Sequence, residues 1–266
     1  MITGIDHVVI AVRDLDAAVR AYETLLGRSA GEREHGDGVA RAMIATGNTA
    51  VELMAPVGES EGAARLRGAL ETGEGLKSLV LAVSDIESVR RRAERVSLAP
   101  EAISSPEHVR WRSVRLNTQQ THGVRLFCID RAAPPASSDV TEAAVLGLDH
   151  VVIRSGDMER AAALYGARLG LDMRLDRMVM GRRLMFFRCG DAIVEIAEAE
   201  AGARDALWGL SWRVADAEAA RARLAAAGAS VSEVRDGMKP GTRVFTVRDG
   251  TCGVPTLMIQ QGARRD

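Results

Sequence analysis

The heptad "GIDHVVI" at residues 4–10 returns as "GLDHVVI" at residues 147–153. The offset is 150 − 7 = 143, and it also carries Asp14 onto Asp157, Tyr22 onto Tyr165 and Leu26-Gly27 onto Leu169-Gly170. It carries Gly47 onto Gly190 and Val51-Glu52 onto Val194-Glu195, with no gap across the whole stretch. A repeat this long means two copies of one domain in tandem. Between them lies "RAAPPASSDVTEAA", residues 131–144, whose small residues, serines and adjacent prolines suit an exposed connection. The predicted organisation is a first domain over 1–131, a linker over 132–146 and a second domain over 147–262.

A fainter echo runs inside each copy. "VIAVRDLDAAVRAYE" resembles "VLAVSDIESVRRRAE" at an offset of 71, and "VVIRSGDMERAAALY" resembles "LSWRVADAEAARARL", placing Asp157 over Asp216. Each half therefore begins strand, aspartate, helix. The aspartate suits an N-cap, its carboxylate accepting backbone N–H bonds that the first helical turn leaves unpaired. After Asp14, Leu15, Ala18, Val19, Tyr22, Leu25 and Leu26 fall at helical spacing, and Gly27 provides the left-handed stop. Tyr22 and Tyr165 sit among these apolar positions and read as packing residues. Short alternating runs follow each helix: "ARAMIAT", "AVELMA", "VRWRSVRL" and "GVRLFCID", then "RLMFFRCG", "AIVEIAEA", "TRVFTVRD" and "PTLMIQ". Their period of two predicts strands with one buried face. The unit is one strand, one helix and about three more strands, written four times.

Charge and composition narrow the partners. The chain carries 35 basic and 36 acidic residues, and aromatics make up 3%. Nucleic acid calls for phosphate-neutralising charge and stacking surface, so it is excluded as a partner. No apolar run approaches the roughly 20 residues of a membrane helix. "MITGIDHVV" enters a strand directly, without the charged start of a signal peptide. Cys128, Cys189 and Cys252 are too dispersed for a disulfide framework or a paired-cysteine zinc site. These features predict a soluble, cytoplasmic protein.

A βαβββ unit used twice per domain and opening on "DHV" resembles the vicinal oxygen chelate superfamily of glyoxalases, extradiol dioxygenases, methylmalonyl-CoA epimerases and bleomycin-resistance proteins. The resemblance covers residues 4–131 and 147–260. It implies an α+β fold of two tandem glyoxalase-like domains, each a curved eight-stranded mixed sheet around a cavity. Carried over position by position, it implies metal ligands or acid–base groups at His7 and Glu52 in the first copy, and at His150 and Glu195 in the second. The strand pattern agrees, since His7 shares a face with Ile5, Val9 and Ala11, and Glu52 with Ala50 and Met54. The implied cofactor is one divalent metal: Zn, Ni, Mn or Fe.

The second halves depart from the family pattern. The echo places Ser78 and Gly209 where each second-half histidine belongs, and the last strands offer Phe127 and Leu257 in place of a glutamate. A slip of one residue offers Cys128 as the only further donor. Each copy thus keeps two protein ligands where catalytic metal sites usually keep three, which argues against an extradiol dioxygenase. Three readings follow: a metal-assisted lyase or isomerase completed by substrate oxygens and water; a metal-free ligand binder of the bleomycin-resistance type; or one working copy beside a structural one. In the bland reading the histidines and glutamates are strand residues with hydrogen-bonding partners. Pooling all four groups into one site is a further geometric possibility. Arg41, Arg110, Arg112, Arg182 and Arg183 lie on predicted strands and could clamp a carboxylate. Trp111, Trp208 and Trp212 read first as packing, His122 as a loop residue, and residues 236–243 as a turn at a pocket lip. The partner is a small molecule, and the chain acts as a monomer or homodimer.

Overall fold

The computed structural model describes residues 1–105, 111–133 and 139–262. Arg110 and part of the expected linker lie outside them. In chain order the elements are β1 (Ile2–Ala11), α1 (Leu15–Leu26), β2 (Glu34–Gly36), β3 (Val39–Ala45), β4 (Ala50–Pro56) and α2 (Glu61–Leu70). Then come β5 (Gly75–Val83), α3 (Ile86–Arg95), β6 (Trp111–Arg115) and β7 (Leu126–Arg131). The second copy opens with β8 (Gly147–Ser155) and α4 (Met158–Ala162), which runs on into a π-helical turn over Ala163–Arg168. It continues through β9 (Asp172–Val179), β10 (Arg182–Cys189), β11 (Ala192–Glu198), β12 (Ala206–Arg213), α5 (Ala217–Ala226), β13 (Arg235–Asp236), β14 (Arg243–Val247) and β15 (Thr256–Gln260).

All four expected aspartate caps are in place. Asp14 accepts the Ala17 N–H at 3.0 Å and Asp157 that of Arg160 at 2.9 Å. Asp85 accepts from Glu87 and Ser88, and Asp216 from Glu218 and Ala219. Each carboxylate satisfies N–H groups that a helix start cannot pair itself. Gly27 closes α1 with φ 65°, the left-handed conformation that costs a glycine nothing.

The fold is α+β, with two mixed sheets. One has seven strands in the order β2-β3-β4-β1-β5-β7-β6, the other eight in the order β13-β14-β15-β12-β8-β11-β10-β9. Parallel pairs, β5 with β7, β8 with β11 and β12 with β15, span the helical crossovers. Successive strands joined without a helix between them pair antiparallel. Among the described residues the first sheet has seven strands, one fewer than the expected eight. Where the eighth would run, "EAISS" makes a single antiparallel bridge, Ser104 to Ser113, with N–H···O bonds of 2.8 and 2.9 Å.

The chain packs as two units, each drawing segments from both copies. One comprises Met1–Val8, Lys77–Pro134 and His150–Trp208; the other comprises Val9–Leu76, Pro135–Asp149 and Gly209–Asp266. Leu79, Leu81, Ile86, Tyr165 and Phe187 are fully buried in the first unit; Tyr22, Leu26, Ile44, Trp212 and Phe245 are fully buried in the second. Arginines tie helix ends together inside each unit. In the second, Arg223 of α5 donates to the carbonyls of Thr24 and Leu25 at the end of α1. In the first, Arg92 of α3 donates to Ala167 and Arg168, at the matching positions after Asp157. Arg168 answers by donating to the carbonyls of Val96 and Ser97, just past α3. A helix C-terminus exposes unpaired carbonyls and partial negative charge, so a guanidinium satisfies both needs. Among the described residues no helix is long and apolar enough to cross a membrane.

Candidate functional site

His150 and Glu195 meet on one face of the second copy. The parallel register of β8 with β11 sets His150 opposite Ile193 and Val152 opposite Glu195, so histidine and glutamate are diagonal neighbours. His150 Nε2 lies 3.3 Å from Glu195 Oε2, and their side chains keep 16% and 13% of their exposure. The alternation of β8 explains the placement: Val151, Ile153 and Ser155 are wholly buried on the opposite face. Successive strand side chains point to opposite sides, so His150, Val152 and Arg154 share the other face.

The remaining strands extend this face in rows. Glu195 stands beside Phe186 of β10, and Phe186 beside Leu175 of β9. Ile193 stands beside Arg188, and Ala197 beside Leu184. The floor is apolar and the imidazole–carboxylate pair lies at one side of it. An imidazole and a carboxylate positioned together are the residue types of general acid–base chemistry.

The first copy uses the same residue types differently. His7 is buried and its Nδ1 donates to Asp6 Oδ1 at 2.6 Å, while Arg131 holds the same carboxylate oxygen at 3.1 Å. Glu52, opposite Met43 on β3, lies 3.7 Å from Arg41 Nε. His7 belongs to the first unit and Glu52 to the second.

A divalent metal finds a short donor set here. Among the described residues no three His, Cys, Asp or Glu side chains are grouped to hold an ion. Phe127 and Leu257 sit on β7 and β15, opposite Val80 and Ser211, and neither is a donor. Cys128 is fully buried, and burial pushes its thiol up to about 12, so it stays protonated and a poor ligand at neutral pH. One imidazole and one carboxylate per copy do not make a three-ligand centre.

The other expected residues divide clearly. Tyr22 and Tyr165 are buried, as packing predicts. Arg112 pairs with Asp130 at 2.9 Å, and Arg183 is held by Asp176 and Glu159. Trp212 is fully buried, whereas Trp208 is 47% exposed. His122 occupies a turn at φ 58°, and burial lowers its pKa below the ordinary histidine value, with Arg160 acting in the same direction. A separate apolar cavity of about 260 Å³ lies beside α3 and the end of the π turn, lined by Val89, Leu98, Leu116 and Leu169. None of the four expected site residues lines it.

Each copy pairs two strand–helix–strand modules and carries a histidine on its opening strand and a glutamate on its fourth. The chain belongs to the glyoxalase-like domain family, which matches over residues 5–170. The Glyoxalase/Bleomycin resistance protein/Dioxygenase superfamily matches over residues 147–254. An ethylmalonyl-CoA/methylmalonyl-CoA epimerase of Cereibacter sphaeroides is 38% identical over 96 residues, which span 35% of this chain and 69% of the epimerase. A mutant 4-hydroxymandelate synthase from Streptomyces coelicolor aligns with TM-score 0.76 and 17% identity, over 100% of this chain and 95% of that one. A Mn(II)-bound glyoxalase from Novosphingobium aromaticivorans aligns with TM-score 0.71 and 17% identity, over 98% and 83%. At such identities the two structures show a shared fold.

Proposed function

We propose that this protein binds a small oxygenated or aromatic molecule against the His150–Glu195 face and moves a proton on it, as a lyase or isomerase. The observation that carries this reading is the 3.3 Å contact between a shielded imidazole and a shielded carboxylate above an apolar floor. The step breaks a C–H bond beside a carbonyl. The proton passes to the His150–Glu195 pair and the electron pair moves onto the carbonyl oxygen as an enolate. Returning the proton, to the same carbon or a neighbouring one, completes an isomerisation. A positioned base of this kind contributes about 10²–10⁴ in rate. The partial likeness to an epimerase, an enzyme named for inverting a stereocentre, supports the same chemistry. His7 and Glu52 then belong to a structural first copy, consistent with Arg41 beside Glu52. The domain limits 1–131 and 147–262 and a cytoplasmic setting, which suits three free thiols, are part of this proposal.

A metal-free binder is the second reading, favoured by Phe127 and Leu257 where a third donor would stand. Elemental analysis of the purified protein, with NMR in D₂O against dicarbonyls, acyl-CoA esters and aromatic antibiotics, separates the two. Proton transfer predicts deuterium entering one of these compounds, slowed at least about a hundredfold in His150→Ala. Tight binding with no exchange in any compound leaves the binder. About one divalent metal per chain, lost in His150→Ala, would restore the metal-assisted form.

A further inference from the structure

Four arginines share the face that carries His150 and Glu195. Arg154 follows His150 and Val152 along the same side of β8, and its neighbour on β11 is Ala197. Arg188 and Arg182 lie on β10, on the side of Phe186. Arg177 of β9 stands opposite Leu184, and Arg182 opposite Val179. Within these strands the acids on that side are Glu195 and Asp172; Asp172 stands opposite Arg188 and is itself paired with Arg174 at 2.8 Å. None of the four guanidiniums has a hydrogen-bond or ion-pair partner among the described residues, whereas Arg112, Arg183, Arg221 and Arg243 all hold carboxylates.

A solvated sheet edge would account for unpaired arginines taken singly. It does not account for their distribution. Shifted back by 143, the four positions become Ala11, Glu34, Val39 and Ala45, in the same strand register. The apolar Phe186 and Leu175 become Met43 and Glu32. The first copy therefore lacks the whole cationic set while keeping the histidine and the glutamate. Along β10, Arg188 and the row of Leu184, Arg177 and Arg154 are four residues apart, roughly 13 Å at strand spacing. The Phe186–Leu175 floor lies between them.

We propose that this face of the second copy binds an oxyanion, a carboxylate- or phosphate-bearing small molecule with an apolar body. The body rests on Phe186 and Leu175, and the charged group is gripped by Arg188 at one end or by Arg154 and Arg177 at the other. Guanidinium matches both oxyanions in a planar two-bond geometry. The assignment rests on the reading that this face is the ligand site and adds the charge of the ligand.

Titration calorimetry with benzoate, phenyl phosphate and the neutral isostere benzamide tests it. The expected result is millimolar or tighter binding of at least one anion, weaker by about tenfold or more in Arg188→Gln or in Arg154→Gln/Arg177→Gln, and weakening with salt. Benzoate against phenyl phosphate separates carboxylate from phosphate. Benzamide binding as well as the anions, no anion binding, or binding indifferent to both variants would overturn the proposal. The two readings fail separately. Anion binding that depends on the arginines, without deuterium exchange in any compound, sinks the proton-transfer function alone. Exchange lost in His150→Ala, with affinities untouched by the arginine variants, sinks the anion assignment alone.

Discussion

Tyr22 and Tyr165 occupy equivalent places in the two copies, and both are buried, but their hydroxyls fare differently. Tyr22 donates to the Thr251 carbonyl at 3.0 Å, whereas the Tyr165 hydroxyl is buried without a partner among the described residues. A made hydrogen bond contributes about 1 kcal/mol net, and an unmade buried one costs its desolvation. Tyr22→Phe should therefore lower the urea-unfolding free energy by about 1 kcal/mol, while Tyr165→Phe leaves it unchanged or raises it. The thiols offer a second test at this scale. Burial pushes Cys189 up to about 12, as it does Cys128, and Cys252 up to about 11, from an ordinary 9.0. The native thiols should resist a thiol-disulfide reagent at pH 7 and react on unfolding. The folded pKa exceeds the unfolded one, so this stabilisation is complete below about pH 9 and disappears as pH rises through the folded values. Urea midpoints should fall accordingly as pH rises above about 9.

At the scale of elements, the arginine clasps at helix ends differ in shielding. Arg223 is half-buried and spans carbonyls of Thr24, Leu25 and Ala143; burial lowers its pKa, yet the guanidinium stays charged. Arg92 makes two comparable bonds while exposed to solvent. Arg223→Ala should cost about 2–3 kcal/mol in chemical denaturation and Arg92→Ala about 1 kcal/mol, because water compensates an exposed carbonyl. The helix starts were legible in the sequence, since an aspartate before a helical apolar stripe acts locally. The clasps were not. Their partners lie 75 to 199 residues away, and nothing about Arg223 itself sets it apart from its neighbours. The strand β9 was equally hidden. "DMRLDRMV" does not alternate cleanly, and pairing with β10 places it at the sheet edge. The π turn after α4 also left no periodic trace.

At the scale of the molecule, duplication supplied two copies of one scaffold, and the copies have diverged at the site. The histidines and glutamates could be read from alternation because strand parity fixes which side a residue takes. Their partners depended on register between strands, which no periodicity encodes. Asp6 and Arg131 at His7, Arg41 at Glu52, and the Phe186–Leu175 floor emerged only with the pairing. The proposed proton transfer depends on the His150–Glu195 pair. Its most direct test is the deuterium-exchange rate of Glu195→Gln, measured with the compound that the wild-type protein exchanges. The account predicts at least about a hundredfold loss with fold and ligand affinity preserved; a rate equal to that of the wild-type protein would contradict it.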